Sequence, residues 1–344
     1  MEGSNGMKRA TIKTIAKMAN VSHTTVSRAL NNSEHVTEKT RKKILDIAME
    51  QGYVPNVAAR GLVSRRTYLI GIFFSDLNVG TSPSFLIEVI NQVKRILPDD
   101  YSFAIDSISH YQGGVAGMEE RFDGVIIVSQ SYHDDDFIDQ VVAKNLPVVV
   151  LNRPIERRDI YNVTTDDHLG VEMAMSYALR MGHRQFGMIK GEASFVSSDA
   201  RQRTFESILK EHQLTLNPDW IKAGNYLLNS GYEAMKQILM LPSIPTCVFI
   251  SNDDMAIGAV RACLDFGLHV PADISIIGYD DVEYAKYLEP RLTTVSKPTS
   301  AIVQAGVTAL VDMMDGEAQP SENQTLAPKL MIRDSVKKIP LNEN

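Results

Sequence analysis

Residues 11–30, with the sequence TIKTIAKMANVSHTTVSRAL, decide the fold of the N-terminal part of the chain. Apolar side chains recur at helical spacing between Ile12 and Ala19, which predicts a first helix with one apolar face. The next residues interrupt this pattern, and Ser22 is a typical N-cap residue for a second helix. The stretch therefore predicts two short helices joined by a tight turn.

The second predicted helix has an apolar face and a polar face. Val26 and Ala29 point to the apolar side. The polar side consists of His23, Thr24, Ser27, Arg28 and Asn31. Isolated helices below about 12 residues are marginal in water, so neighbouring helices must hold this one. An arginine and short hydrogen-bonding groups suit a helix that reads base edges in the major groove. The alternative is an ordinary pair of surface helices, because helix-turn-helix geometry also occurs in proteins that do not bind DNA.

Charge is distributed unevenly along the 344 residues, whose formal net charge is −7. Residues 1–66 contain twelve Lys and Arg against five Asp and Glu, a net charge of +7. The remaining residues contain 23 against 37, a net charge of −14. A basic N-terminal module on an acidic body fits a module that meets a polyanion, although a merely solvated basic face is the alternative.

The composition is typical of a soluble globular protein, with 44% hydrophobic and 22% charged residues. No apolar run approaches the roughly 20 residues of a membrane span, so no membrane partner is predicted. The first ten residues lack an apolar signal region, and we expect a cytoplasmic protein. Cys247 and Cys263 lie in apolar segments and are predicted to be small core residues.

A third helix and a linker complete the N-terminal part. Thr37 is a predicted N-cap, and Gly52 and Pro55 provide the expected end signals. Residues 1–55 are therefore predicted to form a three-helix headpiece. Residues 56–67 are basic and contain Gly61, which indicates a linker. The alternative is a hinge helix that orders only on DNA and places Leu62 as an apolar wedge in the minor groove.

From Tyr68 the pattern changes to alternating strands and helices. The predicted strands are YLIGIFF, YSFAI, GVIIV, PVVVL, FGMIK, CVFIS and ISIIGYD, together with one near Trp220. Repeated βα units predict an α/β core of two doubly wound parallel-sheet subdomains. Parallel sheets are buried on both faces and therefore require nearly continuous apolar strands, and these strands fit that requirement.

Motifs for cofactor chemistry are missing from the sequence. No GxGxxG follows a predicted strand and no GxxxxGK[ST] occurs, so we expect no nucleotide cofactor. HDDD at residues 133–136 could hold a metal, but its place before a helix favours acidic capping. His183 is isolated and is expected to be structural. No nucleophile or paired acid and base is identifiable, and the chain is not expected to be an enzyme.

The chain resembles the lactose-repressor (LacI/GalR) family of bacterial transcription regulators from Thr11 to about Arg333. The matching motifs are TIKTIAKMANVSHTTVSRALNNS, VTEKTRKKI, GYVPNVAARGL, FDGVII, MGHRQFGMI, SNDDMAIGAVRA, VPADISIIGYDD and LTTV. The resemblance implies a headpiece, a hinge helix, and a core at residues 68–340 like the type I periplasmic sugar-binding proteins. An N-subdomain would comprise residues 68–166 and 297–328, and a C-subdomain residues 167–296 and 329–340. The chain would cross between them near Asp166, Ser296 and Pro328.

The resemblance also implies which residues contact DNA. Base-reading residues would be His23, Thr24 and Arg28. Phosphate-contacting residues would be Thr11, Ser22, Thr25, Asn31, Thr37 and Thr40. Tyr53 and Asn56 would help to dock the hinge, and Leu62 would intercalate at the operator centre. Phosphate contacts position such a module, and base contacts specify the site.

An effector cleft is expected at the carboxyl ends of the strands. The candidate residues are Asp76, Phe85, Asn152, Arg203, Tyr226, Asn252 and Asp280. Their planar hydrogen-bonding groups and aromatic rings suit a polyol. Alternatively, Asn252, Asp253 and Asp280 only cap helices, and Arg203 is a surface salt-bridge partner.

The sequence departs from the family pattern at several positions. Lys297 stands where Gln is common, which favours a phosphorylated or acidic effector or indicates a solvated rim residue. Glu206 stands where Gly is common. Residues 107–121, SISHYQGGVAGMEER, replace a longer helix. Gly61 precedes the hinge leucine and should weaken an isolated hinge helix.

The resemblance thus implies a sequence-specific repressor of carbohydrate-utilisation genes that binds a pseudo-palindromic operator as a homodimer. A sugar or sugar-phosphate effector would control it, as inducer or corepressor. Whether a phosphocarrier protein acts as co-regulator stays open. The alternatives are a sugar-binding module with a non-functional headpiece and an enzyme on an α/β scaffold.

Overall fold

The computed structural model describes residues 10–30, 35–53, 66–318 and 323–340. The chain divides into two compact units, residues 1–67 and residues 68–344. Asn31, Asn56 and Leu62, for which DNA contacts are predicted, lie outside the described residues, as does most of the predicted linker.

The described residues of the first unit form three helices, α1 (Ile12–Ala19), α2 (His23–Leu30) and α3 (Glu38–Glu50). Their apolar faces meet in one small core formed by Ile15, Ala16, Ala19, Val26, Ala29, Val36, Ile44 and Ala48. The predicted helix-turn-helix headpiece is confirmed, and α2 owes its stability to this packing rather than to its own eight residues.

Local capping sets the angle between α1 and α2. Asn20 adopts the left-handed conformation, with φ of 57°, and its backbone N–H donates to the last turn of α1. Ser22 Oγ then accepts from the Thr25 backbone N–H at 3.0 Å and caps α2. Lys43 on α3 donates from Nζ to the Ala19 carbonyl at 2.9 Å, which ties the end of α1 to the third helix.

The second unit is built on two six-stranded sheets. The strands are β1 (Leu69–Phe74), β2 (Ser102–Ser107), β3 (Gly124–Val128), β4 (Val148–Leu151), β5 (Tyr161–Thr165), β6 (Phe186–Lys190), β7 (Ile221–Ala223), β8 (Cys247–Ile250), β9 (Ser275–Asp280), β10 (Thr293–Ser296), β11 (Gln324–Leu326) and β12 (Lys329–Met331). The first sheet has the order β11-β5-β4-β3-β1-β2 and is parallel throughout. The second has the order β12-β10-β9-β8-β6-β7, and only β12 pairs antiparallel.

Helices connect and cover these strands. They are α4 (Pro83–Ile96), α5 (Met118–Arg121), α6 (Asp135–Val142), α7 (Asp167–Arg180), α8 (Val196–Glu211), α9 (Leu228–Leu239), α10 (Asp253–Asp265) and α11 (Thr299–Met314). The predicted fold class, two doubly wound parallel-sheet subdomains, is confirmed. Among the helices of the described ranges, none is both long enough and apolar enough to cross a bilayer.

We call the first sheet with its helices the N-lobe and the second with its helices the C-lobe. The chain passes between the lobes three times, because β5 leads into α7, β10 leads into α11, and β11 leads into β12. Val171 and Met175 of α7 pack in a C-lobe core. Ile302 and Val307 of α11 pack in an N-lobe core. Three neighbouring connections therefore join the lobes.

A buried carboxylate organises the N-lobe strand ends. Asp134 is 3% exposed and accepts hydrogen bonds from the Ser75 and Ser129 hydroxyls and from the Gln130 and Ser131 backbone N–H groups. The HDDD sequence therefore supplies an internal hydrogen-bond acceptor here. In the described part of the chain, no group of three or more His, Cys, Asp and Glu side chains is arranged to hold a metal.

Candidate functional site

The polar face of α2 is exposed, and its apolar face is buried. His23, Thr24 and Arg28 are exposed, whereas Val26 and Ala29 lie in the headpiece core. The three residues that the sequence predicted to read bases therefore lie together on the free side of one helix. A guanidinium and short polar groups on such a face can reach base edges in a major groove.

Three of the predicted phosphate-contacting residues occupy helix N-caps. The hydroxyl of Thr11 accepts from the Thr14 N–H at 3.3 Å, and that of Thr37 accepts from the Thr40 N–H at 3.4 Å. Ser22 caps α2 in the same way. Helix N-termini carry partial positive charge and free N–H groups, so these positions suit phosphate oxygens.

The remaining described headpiece candidates support these caps or the core. The hydroxyls of Thr25 and Thr40 form hydrogen bonds with Ser22 and Thr37 at 2.8 and 2.9 Å. Tyr53 is half-buried against the headpiece core, and its backbone N–H donates to the Ala48 carbonyl at 2.8 Å.

A cavity lies between the two lobes at the carboxyl ends of their strands. Its volume is about 30 Å³, and its lining consists of Gly80, Ser82, Phe85, Gln130, Asn152, Ser197, Arg201, Tyr226, Asn252, Asp280 and Lys297. Five predicted effector residues line it, namely Phe85, Asn152, Tyr226, Asn252 and Asp280. This volume is about that of one water molecule in the liquid, so a sugar enters only if the lobes separate or lining side chains move.

Asn252 is both a helix cap and a cavity residue. Its Oδ1 accepts from the Met255 N–H at 3.0 Å, which caps α10, and its Nδ2 donates to the Tyr226 carbonyl at 3.0 Å. The neighbouring Asp253 is buried and accepts from the Thr294 hydroxyl at 2.6 Å and from the Val282 N–H at 3.0 Å. The capping alternative is thus correct for Asn252, although the same side chain faces the cleft.

Tyr226 is held rigidly in the C-lobe wall. Its ring stacks on Phe195 with centroids 5.9 Å apart, and its hydroxyl lies 3.0 Å from the Ser197 hydroxyl. Gly191 makes room for the ring, because a Cβ there would lie 2.0 Å from Tyr226 Cζ. A rigid aromatic side chain at this place can cover the apolar face of a sugar.

The prediction of Arg203 as a cleft residue is wrong. Its side chain is 75% exposed and pairs with Asp199 on the same helix. Arg201 takes the predicted place, because it is 2% exposed and its Nε donates to Asp167 Oδ1 at 2.9 Å. The guanidinium also donates to the Ser251 carbonyl and lies 3.5 Å from the centroid of the Tyr279 ring.

Helical periodicity is the signal that identifies Arg201. Phe205 and Ile208 follow it by four and seven residues and are buried, so Arg201 belongs to the inner face of α8. Arg203 lies on the outer face. The family motif by itself does not give this helix phase.

The prediction of Asp76 as an effector residue is also not supported, because Asp76 is not part of the cavity lining. Its Oδ1 accepts from the backbone N–H groups of Asn78 and Val79 at 2.7 and 3.2 Å. Its carbonyl accepts from the Thr81 hydroxyl, which also donates to Gln130 Oε1 at 2.7 Å. Asp76 therefore shapes the loop after β1, and Gln130, which sequence reasoning missed, lines the cavity.

Lys297 is a buried residue of the cleft, and the rim alternative is wrong. The residue is 9% exposed, its Nζ donates to Asn152 Oδ1, and the same atom lies 4.6 Å from the centroid of the Phe85 ring. Burial lowers the pKa of the ammonium group, while the Asp280 carboxylate opposes this shift.

Two carboxyl groups near Lys297 also have shifted pKa values. Burial raises the pKa of Asp280 to about 6, although Arg201 and Lys297 oppose the shift. Burial and the charge of Asp280 raise the pKa of Glu88 to about 7, and Lys297 partly compensates. Glu88 lies in a second cavity of about 440 Å³ between the lobes, together with Ser84 and Tyr284. Protonation near neutral pH therefore changes the charge beside the cleft.

Direct contacts between the lobes flank the cavity. On one side, the Ser84 hydroxyl donates to Asp254 Oδ1 at 2.8 Å, and Tyr284 contacts both residues. On the other side, the Val196 N–H donates to the Gln130 carbonyl at 2.9 Å. Closure of the cleft is thus linked to hydrogen bonds that an opening movement must break.

The buried histidine and cysteines have structural surroundings. The ring nitrogens of His183 lie 3.0 Å from the Thr246 hydroxyl and 3.1 Å from the Lys337 carbonyl oxygen. Cys247 and Cys263 are buried and free, and burial raises the pKa of both thiols. Neutral buried thiols are poor nucleophiles.

Comparison with known proteins gives matches at both ends of the chain. The family described as "Bacterial regulatory proteins, lacI family" matches residues 11–56. The "Periplasmic binding protein-like domain" matches residues 176–336. The first match covers the headpiece, and the second covers most of the C-lobe and the returning α11.

Whole-chain relatives extend these matches. A Bacillus subtilis (strain 168) protein named "Probable HTH-type transcriptional repressor ExuR" is 41% identical over 329 residues, covering 96% of this chain and 99% of that protein. The structure of the Lac repressor dimer bound to operator and the anti-inducer ONPF matches with a TM-score of 0.77 and 28% identity, covering 96% of this chain and all of that chain. A complex of the transcriptional regulator CelR with cellobiose matches with a TM-score of 0.68 and 27% identity, covering 95% of this chain and all of that chain.

The two arginines of α8 should differ sharply in their effect on stability. Arg201→Ala leaves the Asp167 carboxylate, which is 13% exposed, without its partner and empties a buried site, and we expect a loss of roughly 3 kcal/mol in the free energy of unfolding. Arg203→Ala removes only an exposed pair, and we expect no measurable change in the free energy of unfolding. Urea unfolding of both variants measures the difference, and equal losses would contradict the assignment.

Glu88 should make stability depend on pH. An acid whose folded pKa is raised stabilises the fold fully below its ordinary pKa of 4.5 and loses this contribution as the pH rises toward about 7. Glutamine does not ionise, so Glu88→Gln does not lose stability as the pH rises. The melting temperature of the variant should therefore exceed that of the wild type at pH 8 and approach it at pH 5. The exposed Glu233→Gln variant is the matched control. A Glu88→Gln difference that is the same at both pH values would refute this linkage.

Proposed function

The chain belongs to the LacI family of bacterial regulatory proteins, and from this premise we propose that it represses carbohydrate-utilisation genes under the control of a carbohydrate effector. The chain is a transcription regulator rather than an enzyme. The observation that carries the proposal is the combination of an exposed polar face on α2 with a polar, aromatic-walled cleft between two lobes.

DNA binding is assigned to the headpiece at residues 1–55 and to the connector at residues 56–67. His23, Thr24 and Arg28 read base edges. Phosphates are bound by Thr11, Ser22, Thr25, Asn31, Thr37 and Thr40. Tyr53 and Asn56 dock the hinge, and Leu62 intercalates at the operator centre. The exposed face of α2 and the three hydroxyl N-caps support this assignment.

Effector binding is assigned to the core at residues 68–340. The Asp280 carboxylate can hold two hydroxyls, and the remaining hydrogen-bonding capacity of Asn252 and Arg201 serves others, while Phe85 and Tyr226 cover apolar sugar faces. The effector changes DNA affinity only as far as it binds the two lobe arrangements differently. The structural match to a complex of the regulator CelR with cellobiose supports a carbohydrate effector.

The proposed assembly is a homodimer on a pseudo-palindromic operator, since two headpieces related by a two-fold axis read two half-sites. The Lac repressor dimer on its operator supports this arrangement. Operator binding gives the protein a cytoplasmic location. The proposal does not require a phosphocarrier co-regulator.

Selection of duplexes from a random pool tests the function. The full chain should enrich a pseudo-palindrome, and its affinity should fall steeply with salt, because phosphate neutralisation releases counterions. A panel of carbohydrates should contain one that changes this affinity. If no duplex is captured at any ionic strength, the protein is a sugar-binding module with a non-functional headpiece.

Arg28→Ala should remove the preference for the selected duplex. Loss of a bidentate base contact costs about 1–3 kcal/mol, or roughly 5- to 150-fold in affinity for that duplex over a scrambled one. Arg180→Ala, which removes the same charge from the core, is the matched control. Fluorescence anisotropy measures both duplexes. Selectivity that survives in Arg28→Ala would rule out base reading by this residue.

A further inference from the structure

The environment of Lys297 differs from that of the other cation in the cleft. Arg201 is neutralised directly by Asp167 at 2.9 Å. The Lys297 ammonium is nine-tenths buried, and its recorded contacts are the neutral amide oxygen of Asn152 and the Phe85 ring. Within residues 66–318 and 323–340 it forms no ion pair, and Asp280 and Glu88 act on it only at longer range.

An unpaired hydroxyl belongs to Thr299, two residues after Lys297. Thr299 is 2% exposed, and its Oγ1 has no hydrogen-bond partner among the described residues. Lys297 and Thr299 both line a small cavity of about 10 Å³, whose other walls are almost entirely apolar. Phe85, Asn152 and Lys297 line this small cavity and the main cleft alike, so they form the wall between the two.

The same place is the N-terminus of a long helix. Thr299 is the first residue of the sixteen-residue α11, and the preceding Pro298 provides no side-chain cap. The N-terminus of a helix favours negative charge and offers free N–H groups. In α11 the Thr299 N–H already donates to the Lys297 carbonyl at 2.8 Å, so the N–H groups that follow it in the first turn are the ones left for a ligand. An ammonium group, an unpaired hydroxyl and an uncapped helix N-terminus therefore meet at the N-lobe wall of the cleft.

A neutral ligand does not account for this arrangement. Burying an ammonium group is costly unless a negative charge compensates it. A glutamine at position 297 would donate to a sugar hydroxyl without that cost. The Lys297 ammonium, the Thr299 hydroxyl and the N-terminus of α11 offer donors and positive charge, whereas the Asp280 carboxylate on the opposite lobe accepts from hydroxyls. An anionic group on the ligand accounts for the positive charge at this wall, and sugar hydroxyls account for the polar groups in the rest of the cleft.

We propose that the effector is a monosaccharide that carries an anionic group, a carboxylate or a phosphate, and that Lys297 and Thr299 bind this group at the N-terminus of α11. The inference rests on the proposed control by a carbohydrate and names its chemical class. The anion replaces Asn152 as the direct partner of the ammonium group, and displacement of this wall side chain opens the small cavity with Thr299 to the cleft. Asp280, Asn252 and Arg201 then hold the hydroxyls.

Two matched series of ligands test the class. Each series contains a neutral hexose, the uronic acid and the 6-phosphate of the same sugar, with glucose and galactose as the parents. Isothermal titration of the full chain should show one anionic member binding about 10- to 100-fold more tightly than its parent, the range expected for a charge-assisted contact. The anionic member that binds more tightly shows whether the recognised group is a carboxylate or a phosphate. A neutral hexose that binds as tightly as its anionic relatives overturns the inference.

Variants test the residues. Lys297→Gln should lose this advantage and bind the neutral parent within about threefold of the wild type, since glutamine keeps hydrogen-bond donors without charge. Thr299→Val should lose about 3- to 10-fold for the anionic member alone. Lys210→Gln, an exposed lysine on α8, is the matched control.

If Lys297→Gln does not fold, Lys297→Arg should keep the anion preference, and Thr299→Val decides the outcome. An unchanged preference in the folded variants overturns the inference.

Measurements of duplex binding distinguish failure of the anionic-effector proposal from failure of the proposed control by a carbohydrate. If a neutral sugar alters operator affinity and no anionic sugar does, carbohydrate control stands and the anionic effector is wrong. If no member of either series binds while the chain still selects a duplex, both effector assignments fall and DNA binding stands.

Discussion

The arrangement of the C-lobe around the cleft depends on the burial of one guanidinium group. Arg201 on α8 contacts Asp167 at the start of α7, the Ser251 carbonyl after β8, and the Tyr279 ring on β9. A buried charge is tolerated only when it is paired and hydrogen-bonded, so these elements must meet at one point. They meet at the carboxyl ends of the parallel strands, where loops from every strand converge. The cleft is therefore a consequence of how the fold satisfies this charge, and the ligand groups of Asn252 and Asp280 project from the same edge.

The two lobes differ in the side-chain groups that they present to the cleft. The C-lobe presents acceptors and a neutralised cation, whereas the N-lobe presents a ring, an amide and the Lys297 ammonium group. Their contacts, such as Ser84 with Asp254, are few and polar. Because the chain passes between the lobes three times at neighbouring places, an opening movement is confined to those passages. A ligand that contacts both walls can therefore favour one lobe arrangement, which is what allosteric control requires.

The fold was largely predictable from sequence, and the reason is periodicity. Apolar strands alternating with helices dictated two parallel sheets, and the helical spacing in residues 11–30 dictated the headpiece. β5 was not predicted, because YNVTT is half polar and shows no clear alternation of apolar and polar residues. At the site, strand-end residues such as Asn152 were found because their position follows from the strand. Arg203 was wrong because the family motif does not give the phase of the helix. Asp76 also follows a strand, but its carboxylate turns back to the backbone of its own loop, which the sequence does not show. Lys297 was noticed as a departure, but its burial depends on tertiary contacts of α4 and β4 that sequence does not reveal.

The distribution of charge explains why sensing and DNA reading lie in separate parts of the chain. Residues 1–66 carry a net charge of +7 and the remainder −14, so a polyanion is attracted to the headpiece and repelled by the core. A negatively charged core gains little from contacting DNA. Its influence on DNA binding must therefore pass through the segment that joins it to the headpiece.

The same acidic core surrounds a cleft whose N-lobe wall is locally positive. Long-range attraction therefore contributes little to the capture of an anionic ligand, and short-range contacts with a desolvated ammonium group and a helix N-terminus must supply its affinity. Short-range contacts of this kind are also the ones that distinguish an open cleft from a closed one, because they form only when the walls approach.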